Sequence, residues 1–131
     1  MNGTNAVIDS DVIIYASKRL INIDDLVSRY DKLYTSIISY MEVYAFDFVN
    51  AHEKILIDEL FKNLKIVETD RQIADHAIVY RSNKSRKIKL PDSIILATAK
   101  TLSADLITNN LVDFQGVDES VSIVGINDLR I

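Results

Sequence analysis

Residues 5–15, NAVIDSDVIIY, decide the fold, because a short apolar run stops at Asp9-Ser10-Asp11 and is followed at once by a second apolar run. The first run has the length of a buried strand, and the serine and aspartates after it are residues that commonly begin a helix. In open α/β sheets, ligands bind just beyond the carboxyl ends of the strands. Asp9 and Asp11 therefore lie at a predicted binding edge, and their role depends on whether other carboxylates reach the same edge.

The composition predicts one globular domain that spans residues 1–131. The chain has 131 residues, 48% of them hydrophobic, which is enough to bury a substantial core. No apolar run approaches the roughly 20 residues that cross a bilayer, and the N-terminus lacks the pattern of a signal peptide. We therefore expect a cytoplasmic protein without membrane contact. The absence of cysteine excludes disulfides, thiolate catalysis and Cys-ligated metal sites.

Charge and glycine content exclude two further classes of site. The formal net charge of −4 argues against binding nucleic acid through a bulk positive potential. It does not exclude nucleic acid as a substrate, because carboxylates that hold divalent cations also count as negative charges. With 3 glycines and 1 proline, the chain contains neither GxGxxG nor GxxxxGK[ST], so it has no Gly-rich phosphate loop.

Predicted strands and helices alternate along the whole chain. Short apolar or β-branched segments predict strands at residues 5–9, 32–36, 65–68, 104–108 and 121–124. Helical spacing predicts helices at residues 12–17, 24–30, 37–49 and 52–64, a helix capped by Asp70, and a helix that begins at Leu90-Pro91. This alternation is typical of an α/β fold with a mainly parallel central sheet that helices cover on both faces.

Four carboxylates can meet at one edge of that sheet. Asp9 and Asp113 each follow a predicted strand, and the carboxyl ends of parallel strands share an edge. Asp92 lies in the first turn of its helix, where the helix dipole stabilises an anion. Glu42 lies on the helix predicted at residues 37–49, and its apolar neighbours predict a buried carboxylate, which is costly unless it is paired or bound to a metal.

Carboxylates gathered without basic partners repel one another unless cations neutralise them. The repulsion raises pKa values or destabilises the fold, and hard divalent ions such as Mg²⁺ or Mn²⁺ relieve it. Such ions orient a water, lower its pKa and stabilise the charge that develops on a phosphate. The acidic residues therefore favour metal-assisted hydrolysis of a phosphodiester.

Four segments, in this order, resemble the motifs of PIN-domain nucleases, and with the small size of the chain they resemble most the VapC-type toxins of toxin–antitoxin pairs. The segments are Asp9-Ser10-Asp11-Val12, Ser39-x-x-Glu42, Leu90-Pro91-Asp92 with Ile95 and Ala97, and Thr108-x-Asn110-x-x-Asp113-Phe114. The resemblance covers nearly the whole chain, and it implies a PIN-like three-layer α/β/α fold.

The resemblance also implies an activity, a cofactor and partners. The activity is that of a Mg²⁺- or Mn²⁺-dependent endoribonuclease, and the partners are RNA, a cognate antitoxin and a second copy of the chain in a homodimer. Thr108 and Asn110 would orient the carboxylates or a water, Ser10 would support Asp9, and Asp11 would be a ligand or only a helix cap. The implied catalytic metal ligands are Asp9, Glu42, Asp92 and Asp113.

Two other functions and one surface are left open. The chain could be a PIN nuclease that processes RNA without an antitoxin, or a binding module whose acidic cluster holds a structural ion or none. Basic side chains crowd residues 81–89, directly before Asp92. Arg86, Lys87 and Lys89 are either a weak substrate-binding surface or an ordinary solvated helix end.

Overall fold

The structure, a computed structural model, describes residues 4–131 and contains one sheet of five parallel strands. The prediction of a mainly parallel sheet is confirmed. The strands are β1 (Asn5–Ile8), β2 (Lys32–Ser36), β3 (Lys65–Val67), β4 (Asp105–Ile107) and β5 (Ile123–Val124). Their order across the sheet is β3-β2-β1-β4-β5. The order reverses between β1 and β4, and ligands of open α/β sheets bind beyond the strand ends at such a reversal.

Helices cover both faces of the sheet, which gives three layers. Ala6 and Ile8 of β1 pack on one face with apolar residues of α1, α2 and α4, whereas Val7 packs on the other face with residues of α5 and α6. Within residues 4–131, no helix is long and apolar enough to cross a membrane. The helices are α1 (Ser10–Ser17), α2 (Ile23–Ser28), α3 (Ile37–Tyr44), α4 (Ala51–Phe61), α5 (Arg71–Arg81), α6 (Leu90–Thr101) and α7 (Leu111–Phe114), and a 3-10 turn lies at Asn127–Leu129.

Local capping signals place two of these helices where the sequence predicts them. The Asp70 side chain accepts a hydrogen bond from the Ile73 N–H at 2.9 Å and so caps α5. Pro91 lies in the first turn of α6, where it needs no hydrogen bond and its fixed φ suits the helix. Asp92 consequently lies in the first turn of α6, as predicted.

The prediction of a single helix over residues 37–49 is wrong, because α3 ends at Tyr44. The next aromatic residues belong to a turn in which the rings of Phe46 and Phe48 pack edge to face at 5.6 Å. Asn50 then caps α4 by accepting the Glu53 N–H at 3.0 Å. The aromatic residues Phe46 and Phe48, although they continue the helical spacing, therefore belong to a turn and not to a helix. The short helix α7 is a second element that the sequence pattern does not predict.

Candidate active site

Asp9 lies at the centre of the site, where β1 ends beside β4. Its backbone N–H donates to the Ile107 carbonyl at 2.9 Å, which continues the β1–β4 ladder by one residue. Its carboxylate is 5% exposed and is held at both oxygens. The Ser10 N–H donates to Oδ1 at 2.8 Å, and the Thr108 hydroxyl donates to Oδ2 at 2.7 Å. These two bonds fix the orientation of the carboxylate.

Asp11 does not cap α1, which corrects one of its two predicted roles. Asp9 is the capping residue, because its extended backbone (φ −72°, ψ 156°) lets its short side chain reach the Ser10 N–H. Asp11 lies inside the first turn, and its carboxylate accepts the Asn109 N–H at 3.2 and 3.4 Å. Asp11 therefore links α1 to the segment that follows β4.

Glu42 is exposed, so the expectation of a buried carboxylate at this position is wrong. Helix α3 buries Ser39 and Val43, which are four residues apart, and this turns Met41 and Glu42 outward. Glu42 nevertheless belongs to the site, because the Ser10 hydroxyl donates to its Oε1 at 2.9 Å. Ser10 thus joins Glu42 to the Asp9 end of α1.

Asp92 and Asp113 complete the acidic group around Asp9, since Asp92 interacts electrostatically with both Asp9 and Asp113. Asp92 is half-buried in the first turn of α6, and Asp113 is exposed in α7. The pKa of Asp92 is raised to about 6, chiefly by burial and then by the negative charges of Asp9 and Asp113, while Lys89 opposes the rise. The four predicted acids therefore lie around one point of the sheet edge.

The same repulsion acts on Asp11 in the first turn of α1 and on Asp9, which caps that helix. Burial is the main cause that raises the pKa of Asp11 to about 7, and the charge of Asp9 adds to it. Burial also raises the pKa of Asp9, although its hydrogen bonds from Thr108 and Ser10 favour the ionised form. The site consequently carries an excess of negative charge, which Lys89 offsets only in part.

The donor chemistry of this cluster fits a hard divalent cation. All its members offer carboxylate oxygens, which Mg²⁺ and Mn²⁺ prefer, and a cation would relieve their repulsion. Within residues 4–131, no three Asp, Glu or His side chains are arranged to hold one ion together. Carboxylates repel one another over longer distances than the distances at which they can share one metal ion. The raised pKa values and the absence of a formed metal site among the residues that the structure describes are therefore consistent with each other. Side-chain rotations would have to bring the carboxylates onto one ion.

Thr108 and Asn110, which the resemblance assigns to orienting the carboxylates or a water, contact the site differently. The buried Thr108 hydroxyl donates to Asp9 and accepts the Asn110 N–H at 3.0 Å. Asn110 thus supports Thr108 through its backbone. The backbone N–H of Asn109 donates to Asp11. The sequence does not predict this role, because position 109 is an unspecified residue in the motif that includes Thr108 and Asn110.

The predicted basic surface is only partly available to a ligand. The Arg86 guanidinium donates to three backbone carbonyls, those of Val112 at 2.7 Å, Lys87 at 2.8 Å and Gln115 at 3.3 Å. It anchors the basic segment to α7 and is not free for a phosphate in this conformation. Lys87 and Lys89 remain exposed.

Ser39, on the buried face of α3, allows a prediction about the thermal stability of the protein. Its hydroxyl is fully buried and has no hydrogen-bond partner within residues 4–131. Because an unsatisfied buried hydroxyl costs about 1–3 kcal/mol, we expect Ser39→Ala to raise the melting temperature or leave it unchanged. Ser36 is an equally buried serine that caps the same helix, so Ser36→Ala is expected to cost about 1 kcal/mol. Thermal unfolding of both variants checks this, and equal losses would contradict it.

The sequence of the chain is similar to that of a known protein family. The family model of the PIN domain matches residues 6–119. Comparison with curated proteins gives no significant match.

Several solved structures are similar in fold to this chain. A toxin–antitoxin complex from Klebsiella pneumoniae is 28% identical with a TM-score of 0.67, over 88% of this chain and 94% of that chain. VapBC-1 from nontypeable Haemophilus influenzae is 25% identical with a TM-score of 0.74, over 92% and 97% of the two chains. DNA-bound VapBC from Salmonella typhimurium is similar in fold, with a TM-score of 0.77 at 20% identity over 95% and 98%.

The matched region begins before Asp9 and ends after Asp113, so it contains all four predicted acids. The resemblance seen in the sequence motifs is thereby confirmed at the level of the family. The chain belongs to the PIN-domain family.

Proposed function

We propose that this PIN-domain protein is a metal-dependent endoribonuclease that hydrolyses RNA phosphodiester bonds, and that it is the toxin of a VapBC-type pair. PIN domains are generally nucleases, which supports the class of reaction. The observation that carries the proposal is the cluster of acids around Asp9, with carboxylates that are raised in pKa by burial and by one another. Such a cluster is suited to binding a divalent cation next to a phosphate.

Each residue of the site has a distinct part in this proposal. The carboxylates of Asp9, Glu42, Asp92 and Asp113 would hold the cation. A bound Mg²⁺ or Mn²⁺ would supply the positive charge that stabilises a phosphate under attack. Thr108 holds one Asp9 oxygen, and Ser10 links Asp9 to Glu42. The exposed Lys87 and Lys89 would attract the RNA backbone.

The partners follow from the neighbours in the same way. The structure from Klebsiella pneumoniae is by its name a toxin–antitoxin complex, which supports a cognate antitoxin for this chain. We also propose that the chain forms a homodimer and acts in the cytoplasm. Growth arrest on expression, relieved by the product of a small adjacent gene, would support the toxin. Expression without arrest, and no such gene, would favour an RNA-processing nuclease.

The nuclease proposal is tested with purified protein and single-stranded RNA, tRNA and rRNA. We expect cleavage with Mg²⁺ or Mn²⁺, none with a chelator, and none by Asp92→Asn. Asp24→Asn is a matched control, because Asp24 is an exposed first-turn acid of α2, and it is expected to cleave like the wild type. Full activity of folded Asp92→Asn would refute the assignment. A binding module would show no metal-dependent turnover at all.

Thr108→Val is expected to lower the cleavage rate by about 10- to 100-fold, the usual cost of losing a group that orients a metal ligand. Valine keeps the shape of threonine but cannot donate to Asp9 Oδ2 or accept the Asn110 N–H. Thr98→Val is the matched control, since Thr98 is equally buried but donates to the Ile94 carbonyl within α6. Single-turnover rates of both variants check the prediction, and equal rates would contradict it.

A further inference from the structure

A small cavity of about 220 Å³ opens beside the acidic cluster, between the segments that follow β4 and β5. We call it the asparagine cavity and define it by Asn109, Asn110 and Asn127, with Leu111 and Gly125 as its apolar part. Its volume is below the roughly 300 Å³ at which pockets for drug-sized ligands begin. It can therefore receive one small planar group rather than a whole cofactor.

The cavity and the acidic site share part of their walls. Thr108 and Asp113 line the cavity, and both belong to the cluster around Asp9. A group bound in the cavity is therefore next to whatever the carboxylates hold. If the carboxylates act on an RNA phosphate, the neighbouring group of the same ligand is a sugar or a base.

Arg130 fixes two of the asparagine side chains. Its Nη2 donates to Asn109 Oδ1 at 3.1 Å, and its Nε donates to Asn127 Oδ1 at 3.3 Å. Its guanidinium also lies 5.5 Å from the centroid of the Tyr15 ring, whose hydroxyl accepts from Asn109 Nδ2 at 3.2 Å. The two amides are thus held with their oxygens toward the arginine.

This arrangement leaves polar groups of the cavity wall without partners. Both amide atoms of Asn109 are used, whereas Asn127 Nδ2 and the side-chain amide of Asn110 make no hydrogen bond within residues 4–131. Amide side chains pair with the edges of nucleobases, because they offer a donor and an acceptor side by side. Asn127 is exposed, and because Arg130 Nε donates to its amide oxygen, its Nδ2 is the atom that can donate to a ligand.

Gly125 and Leu111 pack closely together in the apolar part of the cavity wall. A Cβ atom at this position would lie 3.3 Å from Leu111 Cδ1 and 3.7 Å from Leu111 Cδ2 and Cγ, which is a tight contact. With glycine, the backbone at residue 125 lies against the Leu111 side chain without a steric clash and closes this side of the cavity. The volume of about 220 Å³ is sufficient for one heteroaromatic ring, with the apolar wall on one side and the amides at the rim.

We propose that the asparagine cavity binds one nucleobase of the RNA, that of the nucleotide beside the scissile phosphate, and that Asn127 contacts the hydrogen-bonding edge of the base. Arg130 is a positioning residue that orients Asn127. The proposal rests on the proposed nuclease function for the source of the base. It adds a site that makes cleavage depend on the sequence of the RNA.

The test uses the full chain in chelator, so that no RNA chemistry is needed. Backbone amide signals of ¹⁵N-labelled protein are followed by NMR while AMP, GMP, CMP, UMP or ribose 5-phosphate is added. We expect nucleotides to shift the signals of Gly125, Ile126 and Asn127, and ribose 5-phosphate, which lacks a base, to leave them in place. We also expect the four nucleotides to differ in affinity.

Two variants of Asn127 test its contact with the base. Asn127→Ala removes the amide, and Asn127→Asp keeps the oxygen that accepts from Arg130 but removes the donor. Both are expected to weaken the best nucleotide by about two- to tenfold, the usual effect of one hydrogen bond. Asn63→Ala, at an exposed site after α4, is the matched control and is expected to bind like the wild type.

The outcomes separate this proposal from the nuclease proposal. The nucleobase site is refuted if ribose 5-phosphate shifts the three signals as much as nucleotides do, if no nucleotide shifts them, or if folded Asn127 variants bind like the wild type. Those results would stand even if the metal-loaded protein cleaves RNA. Base-dependent shifts in a protein that cleaves no RNA would support the cavity and refute the nuclease.

Discussion

Asp9→Asn is expected to abolish metal-dependent RNA cleavage while the protein stays folded. Asparagine keeps the oxygen that accepts the Ser10 N–H, so the cap of α1 survives. It loses the charge, and its amide nitrogen can take the place of the oxygen that accepts from Thr108. Because Asp9 itself would contact the cation, its loss should exceed the roughly 10- to 100-fold expected for a residue that only orients a ligand.

The measurement is cleavage of RNA over a series of Mn²⁺ concentrations, with thermal unfolding as the check on folding. Asp105→Asn is a matched control, because Asp105 is also a partly buried aspartate that accepts a side-chain hydroxyl, that of Tyr30 at 2.8 Å. It lies at the start of β4, whereas Asp9 lies beyond the carboxyl ends of the strands. A folded Asp9→Asn protein that cleaves at the wild-type rate would refute the role of the acidic cluster.

The strands and the edge that carries the site could be predicted from local pattern. Residues 32–36 form a strand with the predicted bounds, since β-branched and aromatic residues there agree with their buried position. The position of Asp9 follows from the rule that parallel strands end at one edge. That β4 is the neighbour of β1 could not be predicted, because strand order depends on contacts between distant residues, such as Val7 with Leu106.

The details of the site that were not predicted depend on long-range packing. The exposure of Glu42 depends on which face of the eight-residue helix α3 packs inward, and its apolar neighbours do not determine that. Arg86 donates hydrogen bonds to backbone carbonyls in and directly after α7. The sequence pattern does not predict α7, so it could not predict these bonds. Arg130 reaches Asn109 across 21 residues of sequence, and no motif connects the two.

The stability of the metal-free protein is expected to fall as the pH rises from about 4 to about 7. The folded protein raises the pKa of Asp11 from its ordinary value of 3.8 to about 7 and that of Asp92 to about 6, chiefly through burial. In this range the folded state binds more protons than the unfolded state, so the free energy of unfolding decreases with pH. Asp58 and Asp118 have lowered pKa values and act oppositely, but only at more acidic pH.

Asp11→Asn tests this directly, because it removes the carboxylate whose pKa is raised to about 7. We expect a smaller loss of stability between pH 5 and pH 7.5, and at pH 7.5 a gain of about 1–2 kcal/mol over the wild type, discounted for the partial exposure of Asp11. For a domain of this size the gain corresponds to roughly 4–7 °C in melting temperature. Melting curves in chelator at both pH values check it, with the exposed Asp24→Asn as control.

Divalent cations then test whether repulsion between carboxylates, and not poor packing, lowers the stability of the metal-free protein at neutral pH. If the carboxylates destabilise the chain because they repel, Mn²⁺ should raise the melting temperature of the wild type more at pH 7.5 than at pH 5, since ionised carboxylates bind the cation and protonated ones do not. Asp9→Asn, which lacks one proposed ligand, should gain less. An equal pH slope in the wild type and Asp11→Asn, or a gain from Mn²⁺ that is the same in Asp9→Asn, would show that the charge of this cluster does not limit stability.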